Sequence, residues 1–300
     1  MSTEMHPAAV YQRTTHIVPA AHPRHPDTVK SPDIPLKLSV DEFSIVGAPA
    51  SAFTLIFTHG NSYNKQFWTL IIDNLLSRPL LRQKIGRVLT VDTYNHGDSY
   101  LLNKDIITRT AYWPDVPRDF LAVLRHFQCS NRVIGIGHSY GGGTLCRATL
   151  EEPGAFTATI FVDPIMFSMP ESEAIVVGTA LKRRDRWGSL DELEKSISRS
   201  RAYAEWDERQ RRIFIDRGTI PVQSTEPSPR ILKTPKEQEA ANYIAAPHDD
   251  LIGMLAESTA EHHFVFAGKS DISAPQRRKI IEKSLRLPST TRILPDVGHL

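Results

Sequence analysis

The sequence predicts an α/β fold: a mostly parallel central sheet with helices on both faces and a helical insertion late in the chain. Three observations carry this. Short apolar runs alternate with helical stretches along the chain, which is the pattern of strands joined by crossover helices. A glycine-flanked serine, Gly137-His138-Ser139-Tyr140-Gly141, separates one such run from a helical segment. The residues able to do chemistry fall just past the apolar runs, at the carboxyl edge where open α/β sheets place their sites.

The elements follow in order. Residues 1–38 are rich in proline and histidine, including Pro7, Pro19, Pro23, Pro26, Pro32 and Pro35, and are expected to form an arm rather than a folded unit. His6, His16, His22 and His25 match no metal-ligand spacing, and no cysteine or carboxylate pattern accompanies them, so no metal is expected. Residues 39–164 are the first half of the core. Phe53 to Thr58 is a buried strand running into His59-Gly60-Asn61, and Arg87 to Asp92 is another, running into Thr93-Tyr-Asn-His-Gly-Asp-Ser99. A helical stretch spans Asp119 to Gln128, a strand Arg132 to Ile136, and a strand Thr159 to Val162 ends in Asp163-Pro164.

Residues 165–258 interrupt the core as a helical cap. Ser189 to Arg217 is strongly charged and helical, with Leu190, Leu193, Ile197, Tyr203, Trp206, Ile213 and Phe214 on its apolar face. Ile220 to Pro235 is proline- and serine-rich and is expected to be a loop. Residues 259–300 complete the core with a strand His263 to Ala267, a helix Pro275 to Leu285 and a strand Thr291 to Leu294 that runs into Pro295-Asp-Val-Gly-His299.

Composition narrows the function classes. Three hundred residues suffice for one large domain with a generous core. With 36 Lys+Arg against 34 Asp+Glu, nothing points to nucleic acid. Two cysteines, Cys129 and Cys146, suggest no disulfide framework and fit a reducing compartment. No apolar run approaches the ~18 residues of a membrane span, and the N-terminus lacks a signal-peptide pattern.

Gly-x-Ser-x-Gly between a strand and a helix is a nucleophile elbow, in which a sharp turn projects the serine hydroxyl. A Cβ at either flanking glycine is expected to collide with the neighbouring strand or helix. With the strand order, this motif makes the chain resemble an α/β-hydrolase from about Val40 to His299. Val91 to Ser99, Val133 to Ser139 and Lys182-Arg-Arg-Asp-Arg-Trp187 more narrowly resemble a fungal group. It includes peroxisomal lipase-like proteins and hydrolases of Alternaria host-selective toxin clusters.

The resemblance implies a serine nucleophile, a carboxylate and a histidine, in that chain order. Serine needs a base, histidine titrates near neutrality, and a carboxylate fixes its tautomer. Ser139, Asp271 and His299 fill these roles, with Asp163 as the competing acid one strand earlier. The oxyanion donors are the backbone N–H groups of Tyr140 and of Asn61 or Ser62. The Tyr140 side chain is not needed for that role. His59 is expected to hold the oxyanion loop, and His138 to point into the structure behind the nucleophile. His96 and the loop from Asn95 to Ser99 are expected to be structural. His248, His262 and His263 show no ligand spacing, and no cofactor or metal is expected.

The implied activity is hydrolysis of a small-molecule ester or thioester with a mainly apolar acyl chain, in toxin-cluster or lipid metabolism and in the peroxisome. The final Gly-His-Leu resembles a degenerate peroxisomal address. The sequence also carries a second reading. It stops one residue after His299, where family members continue into a helix, so the carboxylate of Leu300 is expected to crowd the imidazole. On that reading the fold binds a ligand or partner without turnover.

Overall fold

The computed structural model describes residues 3–5, 11–129, 132–224, 227–245, 249–286 and 288–299. Among these, the strands are β1 (Thr3–Met5), β2 (Tyr11–Pro19), β3 (Lys37–Ile45), β4 (Phe53–Thr58), β5 (Ile85–Val91), β6 (Val133–His138), β7 (Ala158–Val162), β8 (Arg186–Trp187), β9 (Thr219–Pro221), β10 (Arg230–Leu232), β11 (Glu261–Ala267) and β12 (Thr290–Leu294). The helices are α1 (Thr69–Ser77), α2 (Pro79–Arg82), α3 (Gly97–Asn103), α4 (Asp115–His126), α5 (Ser139–Glu151), α6 (Pro170–Lys182), α7 (Leu190–Arg199), α8 (Glu208–Gly218), α9 (Lys236–Ile244), α10 (Leu251–Glu257) and α11 (Pro275–Ser284).

Nine strands form the central sheet in the order β1-β2-β3-β5-β4-β6-β7-β11-β12. From β5 to β12 every neighbour pair is parallel, and β1, β2 and β3 add antiparallel strands at one side. Side chains alternate across the sheet with a period of two. Leu55 and Phe57 of β4 therefore join Trp68, Ile72 and Leu76 on one face. Ile56, between them, joins Phe120, Val123, Leu145 and Phe161 on the other. This alternation buries helices against both faces, each large apolar side chain contributing roughly 1.5–3 kcal/mol.

The N-terminal stretch departs from expectation. It is not a loose arm: β2 pairs with β3 over its whole length, from Tyr11↔Ile45 to Pro19↔Lys37. Val18, Ala20, Val29 and Leu36 are buried in the main core. Arg24 is buried with its guanidinium 2.6 Å from Asp119 and 3.4 Å from Asp115. The strand is polar because it is held partly by polar side chains, through an Arg13–Asp41 ion pair at 2.6 Å and a His16–Glu42 hydrogen bond at 2.9 Å. Its apolar alternation is correspondingly weak in the sequence.

The insertion after β7 has a small antiparallel sheet of its own, β8-β10-β9. The stretch expected to be a loop supplies two of its strands, because Ile231↔Ile220 and Leu232↔Thr219 pair there. Trp187, Leu193, Ile197, Phe214, Ile215 and Leu232 form a separate apolar cluster under it. The central core resumes before residue 258, since Leu251 and Leu255 of α10 belong to the main cluster. Among the described residues no helix is long and apolar enough to cross a membrane.

Candidate active site

The site is assembled where β6 gives way to α5. Ser139 has φ of +55°, a left-handed conformation that a side-chain-bearing residue adopts only when its surroundings impose it. The flanking glycines impose it. A Cβ on Gly137 would stand 2.7 Å from the Gly141 carbonyl oxygen, and one on Gly141 would stand 2.6 Å from the Thr58 carbonyl oxygen. A Cβ on Gly143 would overlap the Ile165 carbonyl oxygen. Helix α5 thus lies hard against the ends of neighbouring strands, and Ser139 is pushed out between them.

His299 lies past the end of β12, with Nε2 2.8 Å from Ser139 Oγ. Its Nδ1 is 2.6 Å from Asp163 Oδ2. A carboxylate only accepts, so Nδ1 carries the proton and Nε2 is free to accept from the serine hydroxyl. The structure therefore puts Asp163, not Asp271, against His299. Asp163 follows β7 directly, and β7 is the sheet neighbour of β6 with Val162 beside His138. A turn at φ +43° swings its carboxylate toward the elbow. Asp271 lies on an exposed turn four positions beyond β11, where its backbone carbonyl accepts from Arg277.

The Asp163 carboxylate is well supplied with donors. Oδ1 accepts from the Ala267 N–H at 3.1 Å and from the Ser273 hydroxyl. Burial acts to raise its pKa, but hydrogen bonds from His299, Ser270 and Ser273 outweigh that and hold it at about 2. It is ionised at neutral pH. Ser270 and Ser273 were not singled out in the sequence. Their signal is the pair of serines in the turn after β11, on either side of Asp271.

Three histidines around the site are kept neutral by burial. Burial lowers His59, His96 and His138, the last to about 4. His59 donates from Nδ1 to the Gly60 carbonyl at 2.8 Å and accepts the Thr93 N–H at 3.2 Å, so it braces the loop after β4 as expected. His96 accepts the Ser62 N–H at 3.1 Å. His138 does not point away behind the nucleophile; it lines the cavity, and its Nε2 is 2.9 Å from the His299 carbonyl oxygen. His6, His248 and Leu300 lie outside the described residues. Among the described residues no cluster of histidine, cysteine and carboxylate side chains suits a metal ion.

The loop after β4 crosses in front of the serine. A Cβ on Gly60 would stand 3.3 Å from Ser139 Cβ. The Asn61 side chain donates to the Glu239 carbonyl at 3.0 Å, tying this loop to α9. Asn95 reaches Asn242 at 3.1 Å, the Gly97 N–H reaches Thr234 at 3.0 Å, and Lys233 reaches Asp98 at 2.6 Å. The loop from Asn95 to Ser99 is thus a structural clasp between core and insertion. Lys65, fully buried, stays charged because Asp92, Asp41 and Asp98 outweigh the cost of burial.

A cavity of about 690 Å³ opens against His138 and His299, the chain neighbour and the hydrogen-bond partner of Ser139. It is lined by Gly60, His138, Val162 and His299, by an apolar wall of Phe67, Leu70, Ile71 and Leu75, and by the polar Asn74, Arg78, Glu205 and Asp207. Trp206 of the insertion completes that wall, its ring 5.6 Å from Tyr63, 5.4 Å from Phe67 and 4.9 Å from Tyr203. A serine hydroxyl, an imidazole and an ionised carboxylate joined by hydrogen bonds, next to a mainly apolar cavity, form an arrangement able to attack a carbonyl carbon.

The alpha/beta hydrolase family model matches residues 55–300, a stretch that contains the elbow, Asp163 and His299. The chain belongs to the alpha/beta hydrolase family. Among its family relatives is a type I acyl-CoA thioesterase, MpaH, of Penicillium brevicompactum, 30% identical over 205 residues, 64% of this chain and 46% of that protein. An abhydrolase domain-containing protein of Alternaria alternata is 25% identical over 204 residues, 56% of this chain and 76% of that protein. The solved structure of a peroxisomal alpha-beta-hydrolase from Saccharomyces cerevisiae superposes with a TM-score of 0.82 at 21% identity, covering 96% of this chain and 83% of that one. This hydrolase chain spans less than half the length of the curated thioesterases it matches.

Proposed function

We propose that this hydrolase cleaves a carboxylic ester or thioester of a mainly apolar acyl group through an acyl-enzyme on Ser139. The observation that carries the reading is the unbroken chain from Ser139 Oγ to His299 Nε2 at 2.8 Å and from His299 Nδ1 to Asp163 at 2.6 Å. His299 takes the hydroxyl proton as Oγ attacks the carbonyl carbon. Asp163, ionised, holds the tautomer and stabilises the imidazolium. The N–H groups of Tyr140 and Asn61 receive the oxyanion. Tyr140 is in the first turn of α5, where N–H groups lack intrahelical partners and the helix dipole favours negative charge. His299 then protonates the departing alkoxide or thiolate, and water repeats the sequence to release the acid.

The apolar cavity supports an apolar acyl group, and the thioesterases among the relatives support a thioester as leaving-group chemistry. The peroxisomal relative supports a peroxisomal setting, and resemblance to the Alternaria proteins supports toxin-cluster or lipid metabolism. Hydrolysis of p-nitrophenyl esters from acetate to palmitate, and of the matching acyl-CoA series, tests the reading. Turnover that Ser139→Ala reduces by about 10⁴-fold or more is expected. Turnover equal in the two proteins on every substrate would overturn it.

Trp206 should set the acyl preference. Trp206→Ala is expected to raise KM for the best wild-type ester by roughly tenfold, the effect of lost apolar contact in a specificity pocket. It should also shift the optimum toward longer chains. The acyl series read on both proteins checks this; an unchanged optimum and KM would place the acyl group elsewhere.

A further inference from the structure

We infer that His138 is a positioning residue that fixes the main chain of His299, so that nucleophile and base are held by one rigid strut. The inference rests on the reading of Ser139 and His299 given above and adds a member that reading does not use.

The geometry runs as a short closed loop. His138 is the last residue of β6 and is covalently joined to Ser139. Its Nε2 lies 2.9 Å from the His299 carbonyl oxygen. That oxygen can only accept, so Nε2 carries the proton and donates it. Nδ1 is turned toward Gly60, on which a Cβ would stand 2.9 Å away. The two imidazole rings lie 4.9 Å apart at 34°. His299 is thus gripped at both ends: Asp163 holds its side chain and His138 its carbonyl.

The grip adds to the ladder by which β12 pairs with β11, from His263↔Thr290 to Ala267↔Leu294, which ends five residues before His299. Residues 295–297 are exposed, and β12 is exposed along its whole length. Upstream, the segment is tied by Gly268 N–H to the Leu294 carbonyl at 2.7 Å and by Lys269 N–H to the Val297 carbonyl at 3.0 Å. The bond from His138 ties the main chain of His299, as Asp163 ties its side chain, and it comes from the residue next to the nucleophile. Any shift of the segment relative to β6 would otherwise pass directly into the distance between Oγ and Nε2. A misplacement of about 1 Å between reacting groups costs on the order of 10²-fold in rate. His138 is suited to the task because burial beside His299 holds it neutral to about pH 4. A charged ring there would oppose the imidazolium formed during turnover.

Two variants of the full chain test this. His138→Phe keeps the ring and removes the donor; His138→Gln keeps a donor at similar reach. Phe is expected to lower kcat about 10²-fold with KM within about threefold, and Gln to recover most of that loss. A second reading does not depend on turnover. The proton shared by His299 Nδ1 and Asp163 should give a far-downfield ¹H NMR signal, retained in Gln and broadened away in Phe. If Phe fails to fold, His138→Met takes its place in both readings. The inference is overturned if Phe retains both kcat and the signal, if Gln loses as much as Phe, or if KM rises while kcat stands. A wild type that shows the signal but hydrolyses nothing would sink the hydrolase reading alone, and the NMR comparison would still decide the role of His138.

Discussion

Asp163→Asn is expected to lower kcat for ester hydrolysis by about 10⁴-fold, while Asp271→Asn leaves it within about twofold. The carboxylate of Asp163 accepts the Nδ1 proton of His299 at 2.6 Å. An amide in that place presents its own N–H to the ring. The imidazole then carries its proton on Nε2, the atom that must receive the serine proton. The substitution keeps shape and volume, so the loss falls on chemistry rather than folding. Asp271 offers its side chain to solvent on an exposed turn. Steady-state kinetics of the two purified variants, with thermal unfolding to show that both are native, checks this. A severe loss in Asp271→Asn with near-normal Asp163→Asn would reverse the assignment.

Gly141→Ala is expected to cost about 3 kcal/mol or more, or to prevent folding, because an added methyl has nowhere to go. Its Cβ would overlap the His59 carbonyl oxygen and stand 2.6 Å from that of Thr58. Both are backbone atoms at the end of β4, so relief requires moving α5 away from the sheet. Thr58 Oγ1 donates to the Gly141 carbonyl at 2.9 Å, which fixes the approach further. Gly178→Ala is the contrast. Nothing lies within 4 Å of its Cβ, and it sits inside α6. That change should stabilise by about 0.5–1 kcal/mol through helix propensity. Urea unfolding of the two variants measures both; equal midpoints would mean that α5 is not pressed against β4.

The parallel half of the sheet was legible because its strands are apolar on both faces and end in chemically distinctive residues. Phe53 to Thr58 is strand β4 to the residue, and His263 to Ala267 lies within β11. The serine turn was legible because its glycines are required sterically. The first strands were not, because β2 is a polar strand held by side-chain hydrogen bonds and an ion pair, and it ends in a proline. The three-residue strands β9 and β10 are too short to show alternation.

The acid illustrates the limit best. Asp163 and Asp271 both follow strands, and chain order permits either. What separates them is which strand lies beside β6, and that is a property of sheet order. The place of His138 was not legible for a related reason: its donor reaches a residue far along the chain, His299, which only the folded sheet brings near.

The central claim is that Ser139 becomes covalently acylated with His299 as its base. Reaction with a fluorophosphonate probe followed by peptide mass spectrometry tests it most directly. The account predicts one adduct, on Ser139, in the native wild type. It should be absent from Ser139→Ala and after heat denaturation, and its formation should be slowed by about 10³-fold or more in His299→Ala. A folded wild type that carries no adduct on Ser139, or carries it equally fast without His299, would contradict the account.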